Sequence, residues 1–93
     1  MGRRKRSRLS IIYSILAAIE SNGGDMNATR LATVTGLAYD RLVSIIEELS
    51  NKGLVQVRIE DKNKIVYITR EGYKLLSRLR DVKRLLEDFG IEI

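Results

Sequence analysis

The side chains that could do chemistry in this chain are nearly all cations. Arg3, Arg4, Lys5, Arg6 and Arg8 put five positive charges into the first eight residues. The chain of 93 residues holds 17 Lys and Arg against 12 Asp and Glu, for a net charge of +5 and a pI of about 9.8. Outside that opening stretch 12 cations face 12 anions, so the basic excess lies wholly in the arm. An isolated run of like charge of this kind reads as a polyanion-binding tail. Other cations recur at Arg30, Arg41, Arg58, Lys62 and Lys64, with Thr29, Tyr39, Ser44 and Asn63 among them. These groups offer charge pairing and hydrogen bonds to an anionic partner. Covalent chemistry is poorly served. The chain has no His and no Cys, which excludes zinc-finger ligation and His-based acid–base catalysis. No glycine-rich phosphate loop is present either. The expectation is a binding protein without enzyme activity, metal or cofactor.

Composition bounds the elements that must hold these residues. A hydrophobic share of 44% suits one folded domain, alone or with an extension. Pro is absent and aromatics are few, which favours helices. The core is small, so burial between two copies would help stability. No apolar run approaches a membrane span and no signal peptide is visible, so no membrane partner is expected. Absence of Cys fits a reducing, cytoplasmic location.

The stretch Asn27 to Leu54 organises the rest. Asn27 suits a helix N-cap, and Leu31, Ala32 and Val34 supply a short apolar face. Gly36 can take the positive φ of a sharp helix-to-helix turn. A second helix runs from about 38 to 52, with Leu42, Ile45, Ile46 and Leu49 as one buried stripe. Gly53 follows its end, and Leu54 can fold back on Leu49. Before this pair, a helix from Arg8 to about Ser21 carries two stripes. One is Leu9, Ile12, Leu16 and Ile19; the other is Ile11, Ile15 and Ala18. Two stripes suggest one face for the domain and one for something else. After the pair, residues 54–60 and 65–69 alternate as strands around a four-residue polar loop, Asp61 to Lys64. Thr69 can cap a last helix running to about Phe89, with Tyr73 and Leu76 facing the core. Its seam of Leu75, Leu79, Val82, Leu86 and Phe89 has heptad spacing, a candidate dimer contact together with Ile11 and Ile15.

Three motifs carry a family resemblance: T-R-L-A with T-G-L (Thr29 to Leu37), E-L-S-N-K-G-L-V (Glu48 to Val55) and Y-I-T-R-E-G (Tyr67 to Gly72). In this order the chain resembles the small archaeal and archaeal-virus winged-helix DNA-binding proteins, which are MarR-like. The resemblance implies an α+β, mostly helical winged helix-turn-helix fold: helix, stub strand, helix, helix, β-hairpin wing, long C-terminal helix. Domain boundaries follow as a flexible basic arm at 1–7, the winged-helix domain at 8–70 and a dimerisation helix at 71–93. It also implies a homodimer on double-stranded DNA, acting as a sequence-specific transcriptional regulator. The recognition helix, 38–52, would enter the major groove, with the wing, 58–65, on the flanking minor groove or backbone. Tyr39, Arg41 and Ser44 are then candidate contacts of that helix. Thr29 and Arg30 become candidates for phosphate, Arg58, Lys62, Asn63 and Lys64 for the wing, and Arg3, Arg4, Lys5 and Arg6 for the arm. Asp40 could accept from a cytosine amino group, cap its helix or pair with Arg41. Glu47 and Glu48, in the C-terminal half, are expected away from the groove. A non-specific architectural DNA-binding protein and a protein–protein adaptor stay open as alternatives.

Overall fold

Ser7 caps the first helix. Its hydroxyl accepts a hydrogen bond from the Ser10 N–H at 3.0 Å, satisfying one orphan donor of the first helix turn. The computed structural model describes residues 7–92. Along them run α1 (Arg8–Ser21), β1 (Asp25–Asn27), α2 (Ala28–Thr35), α3 (Tyr39–Asn51), β2 (Val55–Glu60), β3 (Asn63–Ile68) and α4 (Arg70–Asp88). This is the helix, stub, helix, helix, hairpin, long-helix order expected. Arg3, Arg4, Lys5 and Arg6 lie outside the described residues.

Local chemistry sets the helix ends. The Asn27 side chain accepts from the Thr29 and Arg30 N–H groups and caps α2. Gly36 takes φ 73°, which lets Leu37 N–H reach back to the Ala32 carbonyl at 3.0 Å. The same reach-back closes α3, where Leu54 N–H meets Leu49 O, and α4, where Ile91 N–H meets Leu86 O.

The core gathers Ile11, Ile15, Leu16 and Ile19 of α1 with Leu31, Leu42, Ile46, Leu49, Val55, Val66 and Leu76. Burial departs from expectation on both outer helices. Ile11 and Ile15 are 3% and 0% exposed, so they serve the protomer core and not a partner. The reason is that α2, α4, β1 and β3 all pack on α1, and a helix enclosed this way buries a broad face. Leu79 of the seam is also buried, and Leu75 packs against the core. Leu76 belongs to the core, so the body continues past the boundary expected at residue 70. Val34 and Tyr73, expected inside, are exposed. Tyr73 instead holds its hydroxyl over Gly24.

The sheet has the order β1-β3-β2, antiparallel throughout. Its hairpin is tighter than the four-residue loop expected. Glu60 pairs with Asn63, leaving a two-residue turn at Asp61 and Lys62, with φ of 51° and 67°. Two left-handed residues make the turn whose twist matches the flanking strands. Asn63 and Lys64 are therefore strand residues.

Candidate nucleic-acid interface

Helix α3 buries Leu42, Ile45, Ile46 and Leu49. At 100° per residue, the opposite face is a stripe of Asp40, Ser44, Glu47 and Asn51. Asp40, Ser44, Glu47 and Asn51 are all exposed. Glu47 stands one turn beyond Ser44 on the outward face. Glu48 does turn aside, where it accepts from the Arg8 guanidinium. Both partners of that pair are substantially exposed, so it stabilises the fold by well under about 1 kcal/mol.

Cations border the stripe on both flanks. On one side a cleft of about 230 Å³ is lined by Arg8, Ile11, Ile12, Arg41, Ser44 and Ile45. On the other, a cleft of about 400 Å³ between α3 and the hairpin is lined by Val43, Ile46, Glu47, Ser50, Asn51, Val57 and Lys64. Among the described residues Arg41 and Lys64 make no ion pair, while Arg8 is held by Glu48.

The hairpin divides its basic residues by face. Lys64 pairs with Ile59 on the face turned toward α3, whereas Arg58 pairs with Ile65 on the outer face. There Arg58 lies over the Tyr67 ring at 5.3 Å from its centroid, a cation–π contact. The Tyr67 hydroxyl donates to Glu60 at 2.5 Å, and this bond to a carboxylate raises the phenol above its usual 10. Arg58 is therefore not brought to α3 with the other candidates. Lys62 sits at the turn itself. Arg30, exposed on α2, makes no ion pair among the described residues, and Thr29 gives its N–H to the Asn27 cap. Tyr39 is 45% exposed at the first turn of α3. Across the molecule, Glu20 pairs with Arg80, and this bond with a contribution from Tyr13 holds the guanidinium above its ordinary value.

The winged helix-turn-helix family model matches residues 5–87. The chain belongs to that family. Among solved structures it is similar to Sso10a-2, a DNA-binding protein from Sulfolobus solfataricus, at 22% identity. That match has a TM-score of 0.81 and covers 91% of this chain and 86% of the other. A winged-helix DNA-binding protein from STIV matches at 20% identity and a TM-score of 0.74, covering 84% of this chain and 90% of that one. A MarR family transcriptional regulator from Rhodococcus sp. RHA1 matches at 25% identity and a TM-score of 0.72. There the coverage is 83% of this chain and 59% of that chain. No curated protein sequence matches.

Within this winged helix the sequence signal for Glu47 was available, since it lies seven residues after Asp40 and so on the same helical face. The Arg8–Glu48 pair, joining residues 40 apart, had no local signal. Among the described residues no cluster of acidic side chains could hold a metal ion, and no helix is long and apolar enough to cross a membrane.

Proposed function

We propose that this winged-helix protein is a sequence-specific double-stranded DNA-binding transcriptional regulator that acts as a homodimer. The observation that carries the reading is the flanked stripe of α3. An exposed polar helix face bordered on both sides by cations matches a major groove edged by two phosphate backbones. The DNA-binding descriptions of the proteins from Sulfolobus solfataricus and STIV, and the MarR family regulator, support the same reading. Arg41 and Lys64, which make no ion pair among the described residues, would reach backbone phosphates, and Lys62 would lead the wing to the flanking minor groove. Thr29 and Arg30 remain phosphate candidates at the α2 N-terminus. The dimer would form through the second half of α4 and its C-cap, at exposed Val82, half-buried Leu86 and exposed Phe89. Selection of bound duplexes from a random library tests the reading. Enrichment of one sequence family supports it, and capture of all duplexes alike would replace it with architectural coating.

The arm carries the second expectation. The body without its first eight residues is neutral, and a neutral body has little long-range attraction for DNA. Deleting residues 1–6, and sparing the Ser7 cap, should weaken binding to specific and random duplexes alike. For every phosphate the protein ceases to neutralise, the log–log salt slope flattens by about 0.9. If each of two arms neutralises one or two phosphates, their removal takes away roughly 2 to 4 units of slope. A titration of one duplex across a salt series reads this directly. An unchanged slope removes the arm from the interface.

Lys62 offers a third. A residue with a side chain at φ 67° is strained where Gly would not be. Lys62→Gly should therefore stabilise the fold by up to about 1 kcal/mol in denaturant titration, while weakening duplex binding. Tighter binding by the variant would place Lys62 off the DNA.

A further inference from the structure

The acids on α3 are the feature that a phosphate-binding surface does not explain. Asp40 and Glu47 lie on its outward stripe, and no cation stands three or four residues from either. Positions 36, 37, 43 and 44 around Asp40 are Gly, Leu, Val and Ser; positions 43, 44, 50 and 51 around Glu47 are Val, Ser, Ser and Asn. No helix-surface ion pair can therefore form at either acid. Among the described residues neither carboxylate makes an ion pair or side-chain hydrogen bond, whereas Glu20, Glu48, Glu71 and Glu87 all have basic partners. Asp40, in the first turn, has a role in its helix, because a negative charge there complements the helix dipole. Glu47 has none. It sits in the second half of α3, where the dipole disfavours an anion.

We propose that Asp40 and Glu47 are specificity residues that each accept a hydrogen bond from a cytosine amino group on the floor of the major groove. The proposal rests on the duplex-DNA reading above and deepens it. Its ground is a match of charge pattern. Across the groove, phosphates form two negative rims, and the floor between them carries the only hydrogen-bond donors, the amino groups of cytosine and adenine. Across α3, cations form the two borders, Arg8 and Arg41 on one side and Lys64 on the other, and carboxylates occupy the middle. Glu48 also stands on the first border, seven residues after Arg41, but its charge is met there by Arg8, whereas no cation meets the two acids of the middle.

Between the two donor bases, cytosine fits better. Adenine presents its N7 acceptor beside the amino group, and a carboxylate, which only accepts, is repelled there. Cytosine presents the donor without an adjacent acceptor of its own. Guanine and thymine present acceptors at the position the carboxylate would take. The same two acids thus select for cytosine and against the other bases. Asp40 and Glu47 are seven residues apart, or about 10 Å along the helix axis. With bases rising about 3.4 Å per step, the two cytosines should lie about three base pairs apart in each half-site.

The test uses the full chain and selection from a random duplex library, run with the unaltered protein, Asp40→Asn and Glu47→Gln. Both substitutions are near-isosteric at exposed positions. The unaltered protein should enrich cytosine at two positions about three base pairs apart. Each variant should lose that preference at one position only and move toward adenine, which an amide can contact at N6 and N7 together. Loss of one carboxylate should also tighten binding to random duplex while lowering discrimination at the affected position by about 10-fold. Replacing the selected cytosine by N4-methylcytosine removes the groove-facing donor. It should weaken the unaltered protein and leave the matching amide variant indifferent. If cytosine is absent from the enriched positions, or if both variants keep the original preference, the acids do not read bases and the proposal falls. If the unaltered protein captures no duplex at all, the DNA reading itself falls and takes this one with it; if it captures all duplexes alike, DNA binding stands and base reading by the two acids falls.

Discussion

A Val82→Asp chain should be a folded monomer. Burial on α4 stops at Leu79, with Gly72, Leu76 and Leu79 all in its first ten residues. Beyond them Val82, Leu85, Phe89 and Ile91 are 44%, 56%, 74% and 52% exposed. Such large apolar side chains on the end of α4 and just past it are what a second copy would cover, and heptad spacing from Val82 through Leu86 to Phe89 suits a helix-to-helix seam. In a two-fold dimer each substitution appears twice on the same patch. Two unpaired carboxylates in an apolar seam oppose association by about 4 kcal/mol or more, which raises the dissociation constant roughly a thousandfold. The protomer itself should keep its helical content and its melting cooperativity, because Val82 lies outside the core. Sedimentation should therefore show half the mass with an unchanged far-ultraviolet spectrum. Duplex affinity should fall as well, since two recognition helices would no longer bind as one unit. Leu86→Asp should behave alike. A dimer that persists in both variants at micromolar concentration places the contact elsewhere, and a monomeric unaltered chain removes it.

Much of this molecule was legible where the signal is local. Asn27, Gly36, Gly53 and Thr69 are helix-end residues whose own side chain or backbone freedom decides the structure, and each stands where expected. The stripe of α3 was equally clear, because its apolar residues have one helical period and one core to face. What failed was what depends on neighbours. Periodicity shows that α1 has two apolar stripes but cannot say that four elements pack on it and bury residues of both, Leu16 and Ile19 from one and Ile11 and Ile15 from the other, so the spacing alone offers Ile11 and Ile15 to a partner. The turn at Asp61 and Lys62 lacks the Asn-Gly or Asp-Gly pair that marks a two-residue hairpin, so Asn63 and Lys64 read as loop. Once the register is set by Glu60 opposite Asn63, alternation sends Arg58 and Lys64 to opposite faces. That division of the wing cations follows from a single shift in turn length.

Gly72→Ala should be far more damaging than helix propensity suggests. Gly72 lies in the first turn of α4 and has no left-handed φ. By helix propensity alone, Ala would stabilise such a position by about 1 kcal/mol. The fold reverses the sign. Two of the sequence motifs meet here. Thr69 donates its hydroxyl to the Gly53 carbonyl at 2.6 Å and its N–H to the Leu54 carbonyl at 3.2 Å, tying the end of α3 to the start of α4. The same Thr69 hydroxyl accepts from the Gly72 N–H at 3.1 Å. These bonds draw the two junctions so close that a Cβ on Gly72 would stand 2.2 Å from the Leu54 oxygen and 2.7 Å from Ile68 Cγ1. Ordinary contact needs about 3.5 Å. The Leu54 carbonyl is backbone and cannot swing aside, and Ile68 is core, so the junction must open. Overpacking of this kind costs about 3 kcal/mol or more where backbone must move. At about 4 to 8 °C per kcal/mol for a domain of this size, the melting temperature should drop by more than about 10 °C. Gly90→Ala is the control. Nothing lies within 4 Å of a Cβ there, and only its φ of 75° opposes the substitution, so about 1 kcal/mol is expected. Thermal melts of the two variants beside the unaltered chain decide the matter. A Gly72→Ala melt within a few degrees of the unaltered protein would mean that the α3–β2 and β3–α4 junctions are not locked together as described.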